Sequence, residues 1–175
     1  MRFMAILAAA SFAVALSVTS ALAEDPLTAA LRAAWTKSYD EARSLANQVK
    51  EPAARDVVTW TLLRASQGEL NDYQNFLDRN PDWPGLPLLM KRGEINITRN
   101  AAPQDVLRFF ELHAPQTGVG ALRLSAAQKA VGERAKSHAT IIRAWSSFPM
   151  SQDEHNAFVE RHFRIIAPHH QERLD

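Results

Sequence analysis

With 175 residues, 46% of them hydrophobic and 22% charged, the chain has the composition of a globular protein of about one domain, which excludes disordered and collagen-like chains. Its 20 basic and 19 acidic side chains nearly balance, so it lacks the basic excess of a nucleic-acid binder. Having no cysteine excludes disulfides, thiolate zinc sites, a cysteine nucleophile and a lipid-modified N-terminal cysteine.

Residues 1–23 read as a signal peptide. Met1-Arg2 is a positive start, no charge follows as far as Ala23, and residues 5–16 are apolar. Ala21 and Ala23 put small side chains at the two positions that a signal peptidase reads, just before Glu24. A stretch of this length also suits an uncleaved membrane anchor; the Ala/Ser richness and the Ala-Leu-Ala site favour cleavage. A periplasmic protein starting near Glu24 is expected, with residues 24–175 as one helical domain and no later segment long and apolar enough to span a membrane.

From there the pattern is helical, with no alternating strand and no Asn-Gly or Asp-Gly hairpin. Helices are expected near 26–36, 38–49, 53–66, 69–79, 86–98, 103–113, 119–130, 133–147 and 151–166, with a last piece near 169–175. Pro26, Pro52 and Pro103 stand in first turns, where a missing N–H has no consequence. Ser151 and Glu154 form a capping-box pattern, and Pro168 closes that helix. Val57, Val58, Trp60, Leu62 and Leu63, and again Val106, Leu107, Phe109, Phe110 and Leu112, are apolar around much of the helix, which suits helices packed on two sides. Breaks near Ser38, Gly68, Asn100 and Gly132 recur at intervals of 30, 32 and 32 residues, the length of one helix-turn-helix unit. Gly68-Glu69-Leu70 and residues 131–135 resemble the turn of a tetratricopeptide hairpin, without that repeat's full signature. The expected fold is all-α: about nine or ten helices in stacked hairpins forming an α-superhelix, or solenoid, with a compact orthogonal bundle as the alternative.

Chemistry is harder to find. His155 and His162 share a helix face with Phe158, Val159 and Phe163, but they are two turns apart, whereas helical zinc pairs sit three or four residues apart. They read as partly buried histidines bonded to backbone or carboxylate. His169-His170 has no acidic partner set that would complete a metal site. Glu94, Glu111, Glu133, Glu154 and Glu160 occupy positions typical of solvated faces or caps, so none is assigned a catalytic role, and no metal or other cofactor is expected. Asn96-Ile97-Thr98 matches a glycosylation triplet inside a helical stretch. The most distinctive local feature is Asn80-Pro81-Asp82-Trp83-Pro84-Gly85, which forbids a continuous helix. Trp83 is expected to pack back onto the preceding hairpin, the alternative being an exposed ring that stacks on a sugar. Trp35, Trp60 and Trp145 are likewise expected to pack. Residues 115–120, Pro-Gln-Thr-Gly-Val-Gly, force a second turn.

Four stretches carry a family resemblance. They are residues 73–94 with the Asp82-Trp83-Pro84-Gly85 turn at their centre; Pro115-x-Thr117-Gly118-x-Gly120 followed by Ala121 to Leu124; Ile141 to Trp145 with Phe148, Phe158, Arg161 and His162; and His170-x-x-Arg173-Leu174-Asp175. In order and spacing they resemble the N-terminal superhelical region of soluble lytic murein transglycosylases of the alphaproteobacterial kind, over essentially the whole mature chain. The resemblance implies a periplasmic protein acting with peptidoglycan glycan strands, in a family that cleaves the MurNAc–GlcNAc bond without water and leaves 1,6-anhydro ends. In that family one glutamate, acting as acid and then base, lies in a separate C-terminal lysozyme-like domain. The Glu-Ser pair and Gly-Leu-Met-Gln stretch that mark this domain are absent here. The expectation is a C-terminally truncated scaffold, inactive alone, partnered by a catalytic domain or by other periplasmic proteins. The alternative is a stand-alone periplasmic helical-repeat adaptor that binds proteins.

Overall fold

The computed structural model describes residues 24–111 and 113–173. The signal-peptide reading, including Ala21 and Ala23, falls outside the described residues, as do Leu112, Leu174 and Asp175. Among the described residues there are nine α-helices and no strand. The helices are α1 (Pro26–Trp35), α2 (Tyr39–Ala46), α3 (Pro52–Arg64), α4 (Leu70–Arg79), α5 (Leu86–Asn96), α6 (Pro103–Phe109), α7 (Gly118–Ala130), α8 (Arg134–Ser147) and α9 (Gln152–Ile166). Two 3-10 turns follow, Ala167–His169 and Gln171–Arg173, where a tenth helix is expected from the sequence. No helix among the described residues is long and apolar enough to cross a membrane.

Local chemistry fixes most starts. Asp25 accepts from the Thr28 amide at 3.2 Å ahead of Pro26. Glu69 and Asp72 form a capping box on α4, and Ser151 and Glu154 form one on α9. Three hairpin turns share one hydrogen-bond pattern. Ser38, Gln67 and Glu133 donate to the carbonyls of Ala33, Leu62 and Gln128, five residues back, at 2.8, 2.9 and 2.8 Å. The preceding residues, Lys37, Ser66 and Gly132, are left-handed and donate three residues back to Ala34, Leu63 and Lys129. These are Schellman exits, and they stand at three of the four breaks in the 30–32-residue spacing.

The fourth break differs. After α5 the chain leaves through Ile97 in extended geometry, and the α5 and α6 backbones are not adjacent as in a hairpin: α6 lies on α4 and α7 and meets α5 through side chains such as Phe109. Elsewhere each helix packs only on neighbours one or two positions along the chain, so the order of packing is linear. Three clusters follow: α1–α2–α3 around Ala30, Ala42 and Val58; α3 to α7 around Tyr73, Phe76, Leu89 and Phe109; and α7–α8–α9 around Ile141, Trp145 and Phe158. α3 serves two clusters, with Val58 and Leu62 facing one and Leu63 the other, which accounts for its wide apolar stripe.

Three expectations change. α6 stops at Phe109 rather than near 113. At that end Phe109, Phe110 and His113 gather into one aromatic group with ring centroids 4.8 to 5.4 Å apart. In α9 the backbone at His162 leaves helical geometry (φ −130°, ψ 16°). Ile166, assigned by periodicity to the buried stripe, is buried, whereas Phe163, assigned to the same stripe and directly after this break, is 57% exposed. Trp35, expected to pack, is 75% exposed at the end of α1, whose buried face is built from Ala30, Ala33 and Ala34.

Candidate functional site

The Asp82-Trp83-Pro84-Gly85 turn joins α4 to α5. The Trp83 ring meets Phe76 edge-on at 5.6 Å and is only partly buried. Gly85 is left-handed (φ 76°) and opens α5. The Pro84 carbonyl accepts from Trp60 Nε1 of α3 at 3.1 Å, and Arg64 lies over the Trp60 ring at 4.5 Å. Trp60→Phe, which keeps an aromatic ring but removes the donor and shortens the side chain, is expected to lower stability by about 1 kcal/mol or more. Urea unfolding should show a lower midpoint at unchanged slope.

The second turn, residues 115–120, is the N-terminus of α7, and it is held by two carboxylates from different helices. Glu94, near the end of α5, is fully buried. Its Oε2 accepts from Thr117 N at 2.8 Å and Thr117 Oγ1 at 2.7 Å, and its Oε1 accepts from Gln116 N at 2.9 Å. Thr117 Oγ1 in turn accepts from Gly120 N at 2.9 Å. On the other side, Glu154 of α9 accepts from Val119 N through Oε1 at 3.1 Å, while its Oε2 serves the α9 capping box. First-turn N–H groups lack helical partners and carry the positive end of the helix dipole, so two carboxylates there answer both needs.

The glycines of this turn are required by that approach. A Cβ on Gly118 would meet Glu154 Oε1 at 2.8 Å, and one on Gly120 would run into the Glu94 carboxylate. Gly93 has a parallel reason: its Cβ would fall 3.1 Å from Tyr73 Cγ and against the Phe109 ring. Glycine inside a helix costs about 1 kcal/mol relative to Ala, and here it lets α5 sit close to α4 and α6.

Glu94, one of the acids read as solvated or capping, is a buried cap, and the residues it caps are 22 and 23 positions away in sequence, at the start of another helix. Burial pushes its carboxyl above the ordinary glutamate range, and the bonds from Thr117 and Gln116 offset this in part. A raised carboxyl in a protein interior is a common sign of an acid catalyst. Glu94 lacks the other requirement, an approach for a substrate, since its side chain is enclosed and both oxygens accept from α7. The signal that points to it in sequence is the glycine pair flanking Val119, which makes room for something at a helix start.

The third and fourth resemblance stretches also meet. Arg173 donates to the carbonyls of Trp145 at 2.6 Å and Phe148 at 3.4 Å, with its guanidinium over the Trp145 ring at 4.6 Å. Phe158, His155 and His170 surround the same indole. His169 pairs with Glu172 at 3.0 Å. His162 is held below its ordinary value by burial and then by the nearby charges of Arg161 and Lys129. Among the described residues no group of three or more His, Asp or Glu side chains is placed to hold a metal ion. The amide nitrogen of Asn96, in the glycosylation triplet, is engaged by the Ser66 carbonyl at 3.3 Å and the Tyr73 hydroxyl at 3.0 Å.

No family model, no curated protein and no solved structure matches the chain.

Proposed function

We propose that the chain is a helical scaffold of the cell-wall lytic transglycosylase type, periplasmic, set beside peptidoglycan glycan strands and contributing no catalytic acid of its own. One observation carries the reading: the stretches that resemble the family pair with one another as structural joints. Glu94, which closes the first stretch, caps the turn of the second. Arg173 of the fourth stretch clamps Trp145 and Phe148 of the third. Residues spent on holding helix to helix encode an architecture rather than a reaction centre. The two best-positioned glutamates, Glu94 and Glu154, are both committed to helix N-termini.

The test separates binding from cleavage. The chain from Glu24 onward, purified and mixed with sacculi, is expected to co-sediment with them. It should give no clearing band on zymography and release no 1,6-anhydro muropeptide detectable by chromatography. Anhydro products from the purified chain would overturn the scaffold assignment. Failure to sediment with sacculi would overturn the glycan-strand assignment and favour a protein-binding adaptor.

A further inference from the structure

A cleft of about 140 Å³ lies between α7, α9 and the segment after α5. Arg99, Arg123 and Arg161 line it, with Val119, Leu122 and Ala157 as its apolar wall and Asp153 and Glu154 as its acids. The three arginines come from three different parts of the chain, and none has a carboxylate within ion-pair distance among the described residues. Arg123 is half-buried, and its Nε donates to the Ile97 carbonyl at 3.0 Å, which fixes the guanidinium and leaves its two terminal nitrogens free. Burial, and then the charges of Arg99 and Arg161, hold Arg123 below its ordinary value. Three cations converging on a cleft with two carboxylates, neither within ion-pair distance of them, leave one positive charge in excess, which a bound anion relieves.

We propose that this cleft is a binding site for an organic monocarboxylate carrying one or two methyl-sized apolar groups. The charge balance selects the class. Three guanidinium groups face the two carboxylates of Asp153 and Glu154, and Glu154 already serves the amides of Val119 and Ser151. The cleft thus matches a single negative charge better than a phosphate dianion. A planar carboxylate suits the guanidinium fork, and the wall of Val119, Leu122 and Ala157 suits a short alkyl group beside it. An apolar cavity of about 150 Å³ admits a benzene-sized guest of six heavy atoms, so this open cleft seats a carboxylate with about three further atoms, and the rest of a larger ligand lies outside it in solvent. The site rests on its own geometry and stands or falls independently of the scaffold reading.

The experiment is an NMR titration of the ¹⁵N-labelled chain from Glu24 onward with N-acetylalanine, N-acetylalaninamide and inorganic phosphate. The expected result is saturable shifts at the Val119, Leu122 and Arg123 amides with N-acetylalanine and none with the amide. Phosphate should bind at least about tenfold more weakly, lacking both the planar fit and the apolar contact. Arg99 and Arg161 are exposed, so R99Q and R161Q should leave the fold intact, as checked by an unchanged spectrum elsewhere. Each should weaken N-acetylalanine binding about fivefold or more, given the strength of charge-assisted pairs. Equal binding of the amide, stronger binding of phosphate, unchanged affinity in both variants, or no saturable shift would each overturn the proposal.

Discussion

Replacing Glu94 by alanine is expected to lower stability by about 3–5 kcal/mol, because it strands the buried amides of Gln116 and Thr117 and the Thr117 hydroxyl and leaves a cavity between α5 and α7. For a chain of this size the corresponding fall in melting temperature is about 10 °C. Glu94→Gln fills the space but presents an amide NH₂ to N–H donors, so its loss should be smaller than that of alanine. The pH dependence adds a second readout. The Glu94 carboxyl is raised in the folded chain by burial. The folded state therefore holds this proton more tightly than the unfolded state does. The group's contribution is greatest below the ordinary glutamate value and is lost as pH rises from there through the raised folded value. Urea midpoints measured across that window should fall more steeply for the parent chain than for Glu94→Gln. A Glu94→Ala variant as stable as the parent would show that α7 is not held by this carboxylate. The coupling is also testable in reverse: Gly120→Ala pushes a Cβ into the Glu94 carboxylate. It should be harmful in the parent chain and much less so beside Glu94→Ala, a non-additivity expected only of groups in direct contact.

Helix ends are legible in this sequence wherever a residue's local chemistry decides them. Pro26, Pro52 and Pro103 open α1, α3 and α6, and the Ser151–Glu154 box opens α9 as its spacing predicts. The 30–32-residue spacing of breaks is legible for the same reason, since a helix exit is a local event: three of the four breaks share one hydrogen-bond pattern. What periodicity misses is decided by distant neighbours. Glu94 looks like any helical acid until α7 is brought against α5. Phe163 belongs to the apolar stripe by spacing, yet it follows the break at His162 and is exposed. The arginine cleft is invisible in a chain whose charges nearly balance, because its three cations are 24 and 38 residues apart and meet only through packing.

Trp145→Ala is expected to remove about 3–5 kcal/mol, and where that loss appears will show how the chain is built. Trp145 is 1% exposed and centres the α7–α8–α9 cluster, touching Phe158, His155, His170 and Arg173. Helices here pack only on neighbours one or two positions along, and in such a linear arrangement stability is close to a sum of local and nearest-neighbour contributions. Loss of the indole should then loosen α8, α9 and the turn holding Arg173, while α1, α2 and α3, which share no cluster with Trp145, keep their protection. Hydrogen exchange under native conditions resolves this region by region. The expected pattern is a fall in protection of the α8 and α9 amides matching the measured loss, with α1 to α3 amides unchanged. A uniform fall across all nine helices would mean a single cooperative bundle. Where helices pack only on neighbours one or two positions along, a missing ring in α8 reaches α1 only by unfolding the helices between them.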